Sequence, residues 1–113
     1  MANLVVAIPH VLGEEEALSR LQVRQHEVKS AYQQYLTNLE ETWEGNSLRY
    51  RFSTFGINVR GTITVEPAQV VIRTELPMMA MMFKGAIEKQ IREELGKVLA
   101  APAAASELPG SQV

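Results

Sequence analysis

Residues 77–99, PMMAMMFKGAIEKQIREELGKVL, decide how this chain is read. Met79, Phe83, Ile87, Ile91, Leu95 and Val98 recur at intervals of four, four, four, four and three, which sets them on one slowly drifting stripe of a helix. Lys84/Glu88, Glu88/Arg92, Lys89/Glu93 and Glu93/Lys97 are i, i+4 pairs of opposite sign. Each contributes about 0.2–0.5 kcal/mol at most, as suits a solvated face. The spacing predicts a helix over 78–99 that closes a core built by the segments before it.

Those segments read as strands. Over 69–76, Val70, Ile72 and Leu76 fall inward while Gln69, Arg73 and Glu75 fall outward. The same period of two runs through 57–66 (Ile57, Val59, Ile63, Val65) and 48–55 (Leu48, Tyr50, Phe52), with Phe55-Gly56 as the turn between them. Glu44-Gly45-Asn46-Ser47 has hairpin composition, and the acidic stretch 39–43 before it reads as a further strand. Residues 13–36 open on Glu14, Glu15 and Glu16, which favour a helix N-terminus. The apolar stripe of that helix, Leu18, Leu21, Val28, Ala31 or Tyr32, and Tyr35, is narrow and interrupted by Gln25, so it packs by one edge. The β-branched run 4–8, stopped by Pro9, is the first strand.

The expected fold is therefore α+β, in the order β-α-β-β-β-β-α. An antiparallel meander sheet carries two long helices on one face, the closing helix over Leu48, Tyr50, Phe52, Ile63 and Ile72. Gly61 and Gly85 are read as points of close helix–sheet approach, with a bend at Gly85 as the alternative.

At 113 residues one domain is expected over 1–100. A disordered tail is expected over 101–113, where APAAASELPGSQV has too few bulky side chains to repay ordering. The net charge of −2 shows no basic excess of the kind nucleic acid attracts. Cysteine is absent, which excludes disulfides, thiolate metal sites and cysteine nucleophiles. No basic, apolar leader opens the chain, and the longest apolar runs, at 4–8 and 78–82, fall far short of the ~20 residues that span a bilayer. The expected location is the cytoplasm.

With no Asp and only His10 and His26, the usual triads and metal clusters lack members, so no catalytic, cofactor or metal site is expected. His10 is a proton carrier, a helix cap or a backbone contact; His26 lies on a polar helix and is read as solvated. Arg49, Arg51, Arg60 and Arg73 share the outward sheet face. Phe55 alone could stack beside them, so nucleic-acid binding is not expected. Met78, Met79, Met81 and Met82, followed by Phe83, cannot all face one core. They form an adaptable apolar contact surface, loose core packing or a dimer seam.

One set of residues extends this reading. It comprises Pro9-His10 after the first strand, Leu12 and the Glu-rich helix start, Trp43-Glu44-Gly45-Asn46-Ser47-Leu48 with Phe52, and Gly61 opening G-x-I-x-V. It continues through Leu76-Pro77 to Phe83-Lys84-Gly85 with Ile87, Glu88, Ile91 and Leu95. Together they resemble the polyhydroxyalkanoic acid system protein family, over residues 3–99. The resemblance implies a noncatalytic accessory role in bacterial polyhydroxyalkanoate (PHA) storage, with the granule surface or other PHA-system proteins as partners. It supplies no catalytic residues. The layout is also similar to a reduced helix-grip fold, the architecture of START-like carriers. Two functions follow as expectations: granule docking through Met78, Met79, Met81, Met82 and Phe83, or carriage of a hydrophobic acyl ligand between helix and sheet, near Tyr50, Phe52 and Phe83. A homodimer is expected, since a thin sheet and a narrow helix leave apolar surface to bury.

Overall fold

The computed structural model describes residues 2–100, and the tail expected over 101–113 lies outside them. Strand β1 (Ala2–Pro9) leads into helix α1 (Glu14–Tyr32) and a 3₁₀ turn, Gln33–Tyr35. The meander β2 (Thr37–Glu44), β3 (Ser47–Thr54), β4 (Ile57–Val65) and β5 (Gln69–Leu76) follows. A second 3₁₀ segment, Met78–Phe83, then enters helix α2 (Lys84–Val98). The strands make one antiparallel sheet ordered β1-β5-β4-β3-β2, so the N-terminal strand pairs with the last one. The α+β class and the strand boundaries agree with the sequence patterning.

Turn chemistry sets the register. Gly45, at φ +62°, is the first of two residues linking β2 to β3, the position where a type II′ turn requires glycine. The β3–β4 link, Phe55-Gly56, has φ of +49° and +77°, the signature of type I′. An aromatic residue is an unusual occupant of that left-handed position.

The core lies beneath α2. Leu4, Val6 and Ile8 of β1, Val70 and Ile72 of β5 and Val65 of β4 are buried together with Ala17, Leu21 and Leu99. Ile87, Ile91, Leu95 and Val98 of α2 pack on this cluster. Each fully buried Leu or Val contributes about 1.5–3 kcal/mol relative to exposure. The helix sits toward β1, not centrally over Tyr50 and Phe52.

Three local expectations are corrected. The closing α-helix begins at Lys84, not at residue 78. The preceding segment turns with three residues per turn, brings Ala80 inward and leaves Met79 and Phe83 outside the stripe. Helix α1 stops at Tyr32 instead of continuing to 36. Neither glycine serves helix–sheet contact. A Cβ at Gly85 would meet nothing within 4 Å. A Cβ at Gly61 would strike the Arg73 carbonyl oxygen and come within 2.7 Å of the Tyr50 hydroxyl, so the close approach is between strands.

His10 is buried and fully engaged. Its Nδ1 accepts from the Leu12 N–H at 3.2 Å, so Nε2 carries the proton it donates to the Glu66 carbonyl at 2.9 Å. Its backbone N–H also reaches the Ala68 carbonyl at 2.9 Å. These bonds fasten the β4–β5 loop to the end of β1, which favours the backbone-contact reading. His26 is exposed.

The two glycines generate opposite predictions, checked by urea unfolding. Gly61→Ala overpacks the Tyr50 crossing and loses about 1–3 kcal/mol. Gly85→Ala, in open helical surroundings, gains up to about 1 kcal/mol.

Candidate functional site

The sheet is covered unevenly. Over β2 and β3 its helix-facing side is roofed only by the C-terminal half of α1, and the space left is an apolar groove of about 610 Å³. Its floor is Leu48, Tyr50 and Phe52 of β3 with Ile63 of β4, and one wall is Leu39, Glu41 and Trp43 of β2. Leu21, Gln25, Val28 and Tyr32 descend from α1, and Leu95 of α2 closes one side. Tyr35 and Phe55 also line it, joined where the Thr54 hydroxyl donates to the Tyr35 carbonyl at 3.1 Å. Phe55 is 91% exposed.

Two polar connections cross this apolar space. The Trp43 indole N–H donates to Gln25 Oε1 at 3.1 Å, and Gln25 Nε2 donates to Glu41 Oε1 at 2.9 Å. Together they tie α1 to β2. On the floor, Tyr50 lies across Gly61, stacks on Phe52 with ring centroids 6.3 Å apart, and shares a 2.6 Å hydrogen bond with Thr74 Oγ1. Burial raises the Tyr50 pKa above its ordinary value, and the Thr74 hydrogen bond opposes part of that rise.

Helix α1 is also tied to α2. Arg24 Nη2 binds Glu94 Oε1 at 2.8 Å, and that hydrogen bond is the main reason the guanidinium's pKa is raised. Arg20 Nη1 donates to the carbonyls of Val98 at 3.1 Å and Ala100 at 2.8 Å, satisfying groups that the end of α2 leaves unpaired.

The residues singled out for contact lie elsewhere. Met78, Met79, Met82 and Phe83 are exposed by 71, 70, 79 and 58%, Met81 is half-buried, and none of the five lines the groove. Of the residues expected around a ligand, Tyr50 and Phe52 line the groove while Phe83 does not. On the outer sheet face Arg49, Arg51 and Arg60 pair with Glu44, Glu40 and Glu75, which neutralises much of the arginine patch. Among the described residues no group of three His or Glu side chains could hold a metal ion. No helix among them is long and apolar enough to cross a membrane.

Sequence reading missed the Trp43–Gln25–Glu41 link, although its signal was present. Gln25 occupies the inward helical position between Leu21 and Val28, and Glu41 the inward strand position between Leu39 and Trp43. Two polar residues on two apolar stripes are natural partners for each other.

The class these features define is a five-stranded antiparallel α+β protein with both helices on one face and an apolar groove under the first. Within that class the chain belongs to the family described as "Putative polyhydroxyalkanoic acid system protein", which matches residues 4–99. No curated protein matches it. Among solved structures, the chain is similar to TTHA0849 from Thermus thermophilus at 15% identity and a TM-score of 0.43, with 93% of this chain and 100% of that one covered.

Tyr50 makes stability depend on pH. Its folded pKa exceeds the ordinary 10.0, so both states keep the phenol neutral below that value. Above it the unfolded chain ionises first, and stability falls as pH rises through the folded value. Tyr50→Phe removes this alkaline component and loses about 0.5–1.5 kcal/mol at neutral pH, as chemical unfolding at pH 7 and above pH 10 will show.

Proposed function

We propose that this protein is a noncatalytic accessory protein of the PHA system that holds an aliphatic acyl chain in the groove between α1 and the β2–β3 hairpin. The carrying observation is the groove itself: about 610 Å³, inside the range of about 300–1,000 Å³ typical of small-molecule sites. Most of its lining is aliphatic or aromatic. An alkyl chain gains about 25 cal/mol for each Å² it removes from water against those side chains.

Trp43, the only tryptophan in the chain, lines the groove and reports on it. Titration with methyl decanoate is expected to shift its emission saturably, and a flat titration with no uptake in equilibrium dialysis would sink the reading. Phe55→Asn relieves the left-handed turn position, gaining up to about 1 kcal/mol, and removes an aromatic lining group. Its hairpin is expected to be more stable and its ester affinity lower.

The exposed turn Met78–Phe83 favours a second reading, attachment to the granule surface. Flexible thioethers and an aromatic ring suit an apolar polyester, whereas the paired arginines of the outer face gain little from an uncharged polymer. Apolar attachment survives salt, while charge-driven attachment weakens as the Debye length falls from about 10 Å at 0.1 M to about 3 Å at 1 M. Purified protein is expected to co-sediment with native granules at both salt concentrations. A folded variant with Met78, Met79, Met81 and Met82 all changed to Ser is expected to stay in solution; equal pelleting removes the methionine assignment, and failure of the wild type to pellet removes granule attachment.

A further inference from the structure

We infer that the groove selects a neutral, hydroxyl-bearing acyl chain, with the ligand hydroxyl donating to the carboxylate of Glu41; this rests on the groove's being an acyl site. Apolar walls alone would accept any alkyl chain. The discriminating feature is the direction of the polar link that crosses them.

An indole nitrogen can only donate, so Trp43 obliges Gln25 to present its amide oxygen to it. The Gln25 amide nitrogen is thereby turned toward Glu41, whose Oε1 accepts it. The link ends on an acceptor. Among the described residues Glu41 makes no ion pair, and Gln25 supplies its only side-chain hydrogen bond, leaving Oε2 with its lone pairs available.

Position makes that acceptor consequential. Glu41 is half-buried and faces Tyr50 across the β2–β3 register. Leu39 and Trp43 flank it on the same face of the strand. A plain alkyl chain seated here covers part of a carboxylate and offers it nothing, which is costly. A hydroxyl on the chain supplies the missing donor through a charge-assisted bond. A ligand carboxylate close to that hydroxyl meets a like charge, so the site favours an ester or thioester over the free acid. Lys29 and Arg24 line the groove too, but Arg24 is committed to Glu94 and Glu27, and Lys29 is exposed.

The test compares methyl 3-hydroxydecanoate, methyl decanoate and free 3-hydroxydecanoate on the wild-type protein, by Trp43 emission and by equilibrium dialysis. The hydroxy ester is expected to bind about tenfold more tightly than the plain ester, the ratio that one hydrogen bond to a charged acceptor gives, and more tightly than the free acid. Glu41→Met, which keeps side-chain length and lacks the acceptor, is expected to bind both esters equally. Equal binding of the two esters by the wild type overturns the hydroxyl inference and leaves the groove reading standing. A preference that persists undiminished in Glu41→Met overturns the assignment to Glu41. Binding of neither ester overturns both readings. The wild-type comparison decides the hydroxyl question without any variant.

Discussion

The width of the sheet governs this structure. Five strands spaced about 4.8 Å apart span about 19 Å, whereas one helix covers about 10 Å. Two helices must share the face. Helix α2, with Ile87, Ile91, Leu95 and Val98, covers the β1–β5 side. Helix α1 is left the β2–β3 side and buries only Ala17 and Leu21, both in its first two turns. Beyond Leu21 its stripe passes through Gln25 to Val28 and the half-exposed Tyr32, which cannot fill the space beneath. The groove is thus the deficit between sheet width and the apolar surface that α1 offers.

A helix so lightly packed is held by polar links. Arg20 and Arg24 bind it to the end of α2, and Gln25 binds it to β2. The two arginines are partly exposed, so each link contributes no more than about 1 kcal/mol. Such ties fix where α1 lies without making it rigid, and the segment over the groove belongs to the low-stability end of the fold. The opposite side of the sheet is closed chemically instead. There Arg49, Arg51 and Arg60 pair with glutamates of neighbouring strands, leaving a charged, water-facing surface that needs no further cover.

Much of the architecture was legible because two periods were clear. The alternation in 48–55, 57–66 and 69–76 located three strands almost to the residue, and the Ile87–Ile91–Leu95 spacing located α2. What periodicity could not supply was partnership. Nothing in residues 4–8 says that this strand lies beside β5, because that pairing joins the first strand to the last across sixty or more residues of sequence. The same holds for the site. Tyr50 and Phe52 were visible as inward aromatics, but their separation from Phe83 depends on how the sheet is ordered and on the switch to 3₁₀ geometry at Met78. Gly61 was singled out for a helix approaching the sheet, yet the groups crowding it, the Arg73 carbonyl and the Tyr50 hydroxyl, come from the neighbouring strands. The Trp43–Gln25–Glu41 link escaped notice because each polar residue reads as a blemish on its own element.

Both flanks of the sheet are guarded. On β1, Arg92 of α2 reaches over and donates to the outward Ala7 carbonyl at 3.2 Å, claiming one acceptor that an incoming strand would use. On β2, the register shifts between Thr37 and Glu40, Asn38 takes a left-handed φ of 55°, and Glu40 and Glu44 stand exposed along the strand. Bulges, charges and borrowed side chains are the means by which sheets refuse edge-to-edge growth. Along these stretches the sheet offers an incoming strand no clean template, so strand addition between copies has little to start from.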